Sequence, residues 1–144
     1  MLQRLIKEGA IVPVKVTLDL LRGAMESSMA AGKYLFLIDG FPRNADNLQG
    51  WEQEMGNFAS VEFCLNLQCS EAVMEARLLK RGETSGRSDD NATAIKKRFV
   101  TFVASTQPVI AQFDAAGKAR VVSAEPPVDE VWTQVKAIFD AVQW

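Results

Sequence analysis

The residues best suited to chemistry are one aspartate and five arginines, and no histidine accompanies them. Asp39 ends the apolar run Tyr34-Leu35-Phe36-Leu37-Ile38, and Gly40-Phe41-Pro42-Arg43 follows at once. A carboxylate at the end of a buried strand can hold hydrated Mg²⁺ beside a transferring phosphate, or serve as a turn or capping residue; position alone fits both. The Pro-Arg pair just beyond it puts a planar guanidinium fork, matched to phosphate oxygens, at the mouth of a cleft. Arg77 and Arg81 are four apart and so share a helix face, with no acidic residue at i+4 from either. Such a pair alone is commonly a solvated face. Here Arg87 follows in a loop and Arg98 in the next helix, so Arg43, Arg77, Arg81, Arg87 and Arg98 belong to segments able to converge on one cleft. Converged, they would repel one another unless an anion neutralised them, and several phosphates would do so.

The loop between these arginines is Arg81-Gly82-Glu83-Thr84-Ser85-Gly86-Arg87-Ser88-Asp89-Asp90-Asn91. Two glycines let it swing, an arginine within it can be delivered to a phosphate on closure, and Asp89 and Asp90 can pair with cleft arginines as it shuts. A lid of that kind excludes water and suppresses hydrolysis. An ordinary turn with an Asx cap fits the local pattern equally well.

Strands alternating with helices must position these residues. The pattern predicts a short helix over 2–8 ended by Gly9, an extended stretch around Pro13, and a helix from an N-cap at Thr17 to Ala31, with Leu21, Met25 and Met29 as its stripe. Residues 34–38 read as a strand buried on both faces, 61–67 as a second and 119–123 as a third. Asn44 caps a helix carrying Leu48, Trp51 and Met55. Ser70 caps one running to about Arg81, followed by a loop over 82–90. Asn91 caps a long helix that Pro108 kinks or divides. Glu125-Pro126-Pro127 opens the last helix, with Val131, Val135, Ile138 and Phe139 inward. This is an α/β order with a mostly parallel sheet, in which ligands sit beyond the carboxyl ends of the strands.

Composition narrows the chemistry further. The 144 residues carry 16 Lys+Arg against 18 Asp+Glu, a net charge of −2, which argues against a generally basic nucleic-acid surface. Without histidine, a Ser/His/Asp or Cys/His triad and any His-ligated metal are excluded within this chain. Cys64 and Cys69 are too few for a disulfide framework or a zinc site and read as buried thiols of a reducing compartment. No apolar run approaches a membrane span, and no signal-peptide pattern opens the chain, so a cytoplasmic location is expected, with a nuclear one also compatible.

The run Ile38-Asp39-Gly40-Phe41-Pro42-Arg43-Asn44 resembles the signature of the nucleoside monophosphate kinases, the adenylate kinase superfamily. Glu8-Gly9-Ala10-Ile11-Val12-Pro13-Val14, with Thr17 and Leu20-Leu21, is similar to that family's monophosphate-binding region. Arg77-Leu78-Leu79-Lys80-Arg81-Gly82 and Ser85-Gly86-Arg87-Ser88-Asp89-Asp90-Asn91 resemble the short lid of its UMP/CMP-specific branch. The resemblance implies a P-loop NTPase-like parallel sheet with flanking helices, ATP and Mg²⁺ as cofactors, and UMP or CMP as the acceptor. On matching positions, Asp39 would hold Mg²⁺ through water. Arg43 and Arg98 would hold the acceptor phosphate. Asn47, where AMP-specific members place Gln, would read a pyrimidine, helped by backbone groups around Ile11, Val12 and Val14. Arg77 would stack on adenine, and Arg81 and Arg87 would stabilise charge on the transferring phosphoryl group. Such transfer needs little covalent help from the protein, so a site of arginines without histidine is coherent.

One departure stands out. The family's phosphate cradle, G-x-x-x-x-G-K-[ST], occurs nowhere in the sequence; Gly32-Lys33-Tyr34 and Gly117-Lys118-Ala119 lack its spacing and precede strands. The resemblance therefore reads the chain as N-terminally truncated by roughly 50 residues, with the first two strands and the P-loop helix absent. It divides the rest into 1–32, remainder of the monophosphate-binding region; 33–81, core; 82–91, short lid; and 92–144, core. Loss of a central strand should expose strand edges and favour self-association. Three readings follow: a shortened form of a working UMP/CMP kinase, weak or inactive alone; a non-catalytic nucleotide- or partner-binding relative; or a structural module with merely solvated arginines. The first is favoured.

Overall fold

Two short strands run parallel: β1 (Cys64–Gln68) and β2 (Ala119–Ser123), in register from Cys64 opposite Ala119 to Gln68 opposite Ser123. The computed structural model describes residues 14–87 and 89–142. Around the strands, in chain order, are α1 (Val14–Ala30) and α2 (Ala45–Met55) before β1. Then come α3 (Glu71–Ser85), α4 (Ala92–Thr101), a widened π-helical turn (Phe102–Thr106) and α5 (Gln107–Ala115). After β2 follows α6 (Val128–Asp140). A parallel pair needs a long crossover, and α3 to α5 supply it. The α/β class is as expected. The helix expected over 2–8 lies outside the described residues.

The best-packed core sits between α1 and α2. Leu18, Met25, Trp51 and Met55 are buried there, with Leu21, Phe36, Ile38 and Phe41 against them. Each full side-chain burial of this kind contributes about 1.5–3 kcal/mol. Val14 packs so closely over Gly50 of α2 that a Cβ on Gly50 would lie 2.7 Å from it. This packing explains why Thr17 lies inside α1 rather than capping it: a cap preference of about 1 kcal/mol yields to tertiary burial one turn upstream. Phe63, just ahead of β1, meets Phe139 of α6 edge-to-face at 5.1 Å, so Phe139 of the expected apolar face turns inward.

Residues 34–38 do not form the expected strand. They alternate: Phe36 and Ile38 rest on the α1–α2 core, while Leu35 and Leu37 are 64% and 82% exposed. A ladder needs a neighbour, and no described strand pairs with this segment. Among the described residues, the far edge of β1 likewise has no partner strand. Cys64 N–H donates to the Lys118 carbonyl at 2.8 Å, and Ala124 N–H to that of Gln68 at 2.7 Å. Residues 64, 66 and 68 thus turn toward β2, which leaves the backbone polar groups of Leu65 and Leu67 on the far edge. The second strand also starts later than predicted, at Cys64, and both cysteines are half-buried rather than buried. Burial pushes the Cys64 thiol up.

Two boundaries on the crossover shift. α3 continues to Ser85 and absorbs the first half of the predicted loop; Gly86, at φ +65°, ends it in the left-handed conformation that glycine adopts without cost. Ser70 precedes α3 without a side-chain cap; instead its N–H donates to the Glu125 carboxylate at 3.0 Å. Asn44 and Asn91 do cap α2 and α4, accepting the N–H of Asn47 and Ala94.

Candidate functional site

Three arginines meet on two adjacent aspartates. Arg81, in the last turns of α3, donates Nε and Nη2 to the two oxygens of Asp90 at 2.9 and 2.6 Å. Ser85 Oγ donates to the same carboxylate at 2.9 Å. Arg87 forks onto Asp89 in the same way, at 3.0 and 2.9 Å. Arg98, from α4, adds a third bond to Asp89 Oδ2 at 3.0 Å. The Asp90 side chain is 0% exposed, whereas those of Arg81, Arg87 and Arg98 are 44%, 50% and 32% exposed. The carboxylates therefore form a buried anchor, and the guanidinium edges remain open to solvent.

The electrostatics follow from that geometry. The Arg81 guanidinium, joined by the Ser85 hydroxyl, holds the Asp90 carboxyl down at about 2. Arg87, and then Arg98, depress Asp89. Three cations on two anions leave one positive charge in excess. The expected anion for the arginine cluster is thus in large part the chain's own, and the excess is what an added phosphate would meet.

Gly82 makes the arrangement possible. It belongs to α3, not to a swinging loop, and a Cβ there would lie 2.6 Å from the Asp90 carbonyl oxygen. Its role is close approach of the 86–91 turn to the helix, a packing requirement that the sequence shows only as a glycine.

Arg77 does not join the cluster, although it shares the α3 face with Arg81. Its guanidinium reaches the turn after β2 and donates to the Ala124 carbonyl at 2.5 Å and that of Glu125 at 3.0 Å. Glu125 also ties the start of α3 through Ser70 N–H, which pulls the Glu125 carboxyl below its usual range. The turn borders an open cleft of about 540 Å³ lined by Gln68, Cys69, Ser70, Val121, Ser123 and Glu125. This cleft lies at the carboxyl ends of β1 and β2, where α/β sheets receive ligands.

Arg43 lies elsewhere, ahead of α2. Its N–H donates to Asn47 Oδ1 at 3.1 Å, and its carbonyl accepts from Thr106 Oγ1 at 2.8 Å. Its guanidinium makes no ion pair among the described residues. Asn47 is 3% exposed; its side-chain oxygen accepts the Arg43 N–H, and its NH₂ group shows no partner among the described residues. Asp39 stands exposed in the turn after 34–38 and pairs with no cation among the described residues. Val14 opens α1 and is half-buried against α2; Ile11 and Val12 lie outside the described residues. The five arginines thus form one cluster of three, with Arg77 and Arg43 held at separate places.

Sequence reasoning missed Thr106, Ser85 and Glu125. Thr106 carried a faint signal, standing two residues before the Pro108 that was expected to disturb the helix. Lys118, after Gly117, also proves unsuited to phosphate: it lies at the amino end of β2, away from the cleft, and donates to the Val61 carbonyl at 2.6 Å.

Residues 1–118 match the adenylate kinase family. The chain is 50% identical to a UMP-CMP kinase of Danio rerio over 137 residues, 94% of this chain and 70% of the relative. It is 49% identical to that of Gallus gallus and 46% identical to that of Homo sapiens, each over 142 residues, 97% of this chain and 72% of the relative. The resemblance drawn from the Asp39–Arg43 run and the arginine-rich lid is borne out, and the chain belongs to the adenylate kinase family of phosphotransferases.

Proposed function

We propose that the protein serves transfer of the terminal phosphoryl group of ATP to a pyrimidine nucleoside monophosphate, UMP or CMP. The observation that carries this reading is the meeting of Arg81, Arg87 and Arg98 on Asp89 and Asp90, with their open edges outward and one positive charge in excess. Phosphoryl transfer is catalysed chiefly by positioning and charge stabilisation, which such a cluster supplies. Arg43 and Arg98 hold the acceptor phosphate. Arg81 and Arg87 face the phosphoryl group in transit. Asn47 reads the base through its side-chain amide, and backbone groups around Ile11, Val12 and Val14 help to hold it. The pyrimidine choice is supported by relatives named UMP-CMP kinases.

The residues present fit ATP only in part. Arg77, with its guanidinium plane fixed by two carbonyls beside the open cleft, suits an adenine face. Asp39 suits Mg²⁺ held through water. The triphosphate finds no Gly-rich cradle in these 144 residues. We therefore expect the 144-residue chain to bind nucleotides and to transfer phosphoryl groups very poorly, since single charge-stabilising groups in such sites are worth about 10³ or more in rate. A coupled assay of ADP release with UMP, CMP and AMP tests both parts. Robust turnover by the 144-residue chain would overturn the expected inactivity, and a preference for AMP would overturn the pyrimidine assignment.

A further inference from the structure

The widened turn before α5 has a physical cause in the sequence. Pro108 has no N–H, and its ring crowds the carbonyl of Ala104, so a regular helix cannot pass through it. The chain responds with a π-helical turn over Phe102–Thr106, in which Gln107 N–H bonds the Phe102 carbonyl five residues back. Such turns re-aim the side chains at their end and recur at functional sites.

Thr106 ends that turn, and its hydroxyl behaves unlike other helical threonines of the chain. Thr101 and Thr133 donate to the carbonyl four residues earlier, of Lys97 and Asp129. Thr106 instead donates across to Arg43, 63 residues away, at 2.8 Å. From the other side Asn47 Oδ1 accepts the Arg43 N–H, and Asn47 is itself fixed by Asn44 at 2.8 Å. Both backbone polar groups of Arg43 are thus taken by side chains, one from α2 and one from the helix that also carries Arg98. The guanidinium alone is left uncommitted among the described residues.

We propose that Thr106 is a positioning residue for Arg43: its hydroxyl, aimed by the turn that Pro108 imposes, fixes the Arg43 backbone so that the guanidinium meets the acceptor phosphate. The inference rests on Arg43 as a holder of that phosphate. It also ties Arg43 to the helical run that carries Arg98, since Thr106 and Arg98 both lie on it.

Calorimetric titration of the 144-residue chain with UMP tests this. Thr106→Val keeps the shape and removes the hydroxyl; UMP affinity should fall roughly three- to ten-fold, and Thr106→Ser should restore it. Placed on Arg43→Ala, Thr106→Val should cost no further affinity, whereas a merely structural role would add its cost in both backgrounds. Loss of binding in Arg43→Ala with unchanged affinity in Thr106→Val, or additive losses in the double variant, would overturn this inference alone. Weak binding by Thr106→Ser would do the same should Thr106→Val fail to fold. UMP binding by Arg43→Ala as tight as that of the parent, or none by the parent, would overturn the acceptor-site reading and this inference with it.

Discussion

Gly82→Ala is the sharpest probe of how the arginine cluster is held. Two opposed effects can be weighed. Alanine in a helix interior is favoured over glycine by about 1 kcal/mol. Against this, the new Cβ would lie 2.6 Å from the Asp90 carbonyl oxygen, where real Cβ atoms keep at least 3.0 Å. The oxygen belongs to backbone, so the 86–91 turn must retreat by at least 0.4 Å. Overpacking of this kind costs about 1–3 kcal/mol, which leaves a net loss of about 0–2 kcal/mol. At about 2–4 °C per kcal/mol for a chain of this size, Tm should drop by up to about 8 °C. The same retreat spoils the fork of Arg81 on Asp90, whose bonds are 2.9 and 2.6 Å. Thermal unfolding by circular dichroism gives the first quantity. Carbon-13 NMR titration of the Asp90 carboxyl gives the second, which should rise from about 2 toward the ordinary 3.8. A raised Tm with Asp90 still titrating near 2 would refute the argument, because the helix gain would then have been realised without displacing the turn.

Further predictions concern charge, adenine and the open apolar face. Because Asp90 titrates lower in the folded chain than in the unfolded one, the stability it contributes is full above 3.8 and is lost as pH falls through about 2. Asp90→Asn should flatten the acid limb of stability measured by urea unfolding between pH 5 and pH 2, and an unchanged limb would exclude Asp90 as its source. Arg77→Ala should weaken ATP binding and leave UMP binding intact in paired calorimetric titrations; an equal loss for both nucleotides would remove Arg77 from the adenine site. Leu35 and Leu37 are strongly exposed and Leu67 is 53% exposed; exposed apolar side chains of this kind promote association. Leu37→Lys with Leu67→Lys should lower the mass in light scattering at matched concentration, and an unchanged mass would show that these two side chains are not what associates.

The sequence by itself determined the α/β class, the caps at Asn44 and Asn91, the strand over 119–123 and the residue types of the site. These are local matters: apolar period, side-chain hydrogen bonds over three residues and turn chemistry act within a few positions of the chain. It also foresaw that Pro108 would disturb its helix, but it left the pairing of Asp89 and Asp90 with arginines open beside an ordinary Asx-capped turn. Tertiary structure decided the rest. Residues 34–38 read as a strand because every one is apolar, but a ladder needs a partner, and pairing is a property of neighbours distant in sequence. Arg77 and Arg81 share a face by spacing, yet one is captured by carbonyls 47 and 48 residues away and the other by an aspartate nine residues away, so their guanidiniums part. Gly82 is glycine because the Asp90 backbone lies against it, and Thr106 matters because Arg43 lies across from it. Helix periodicity fixes where a Cβ points, but long side chains end wherever the folded chain supplies a partner.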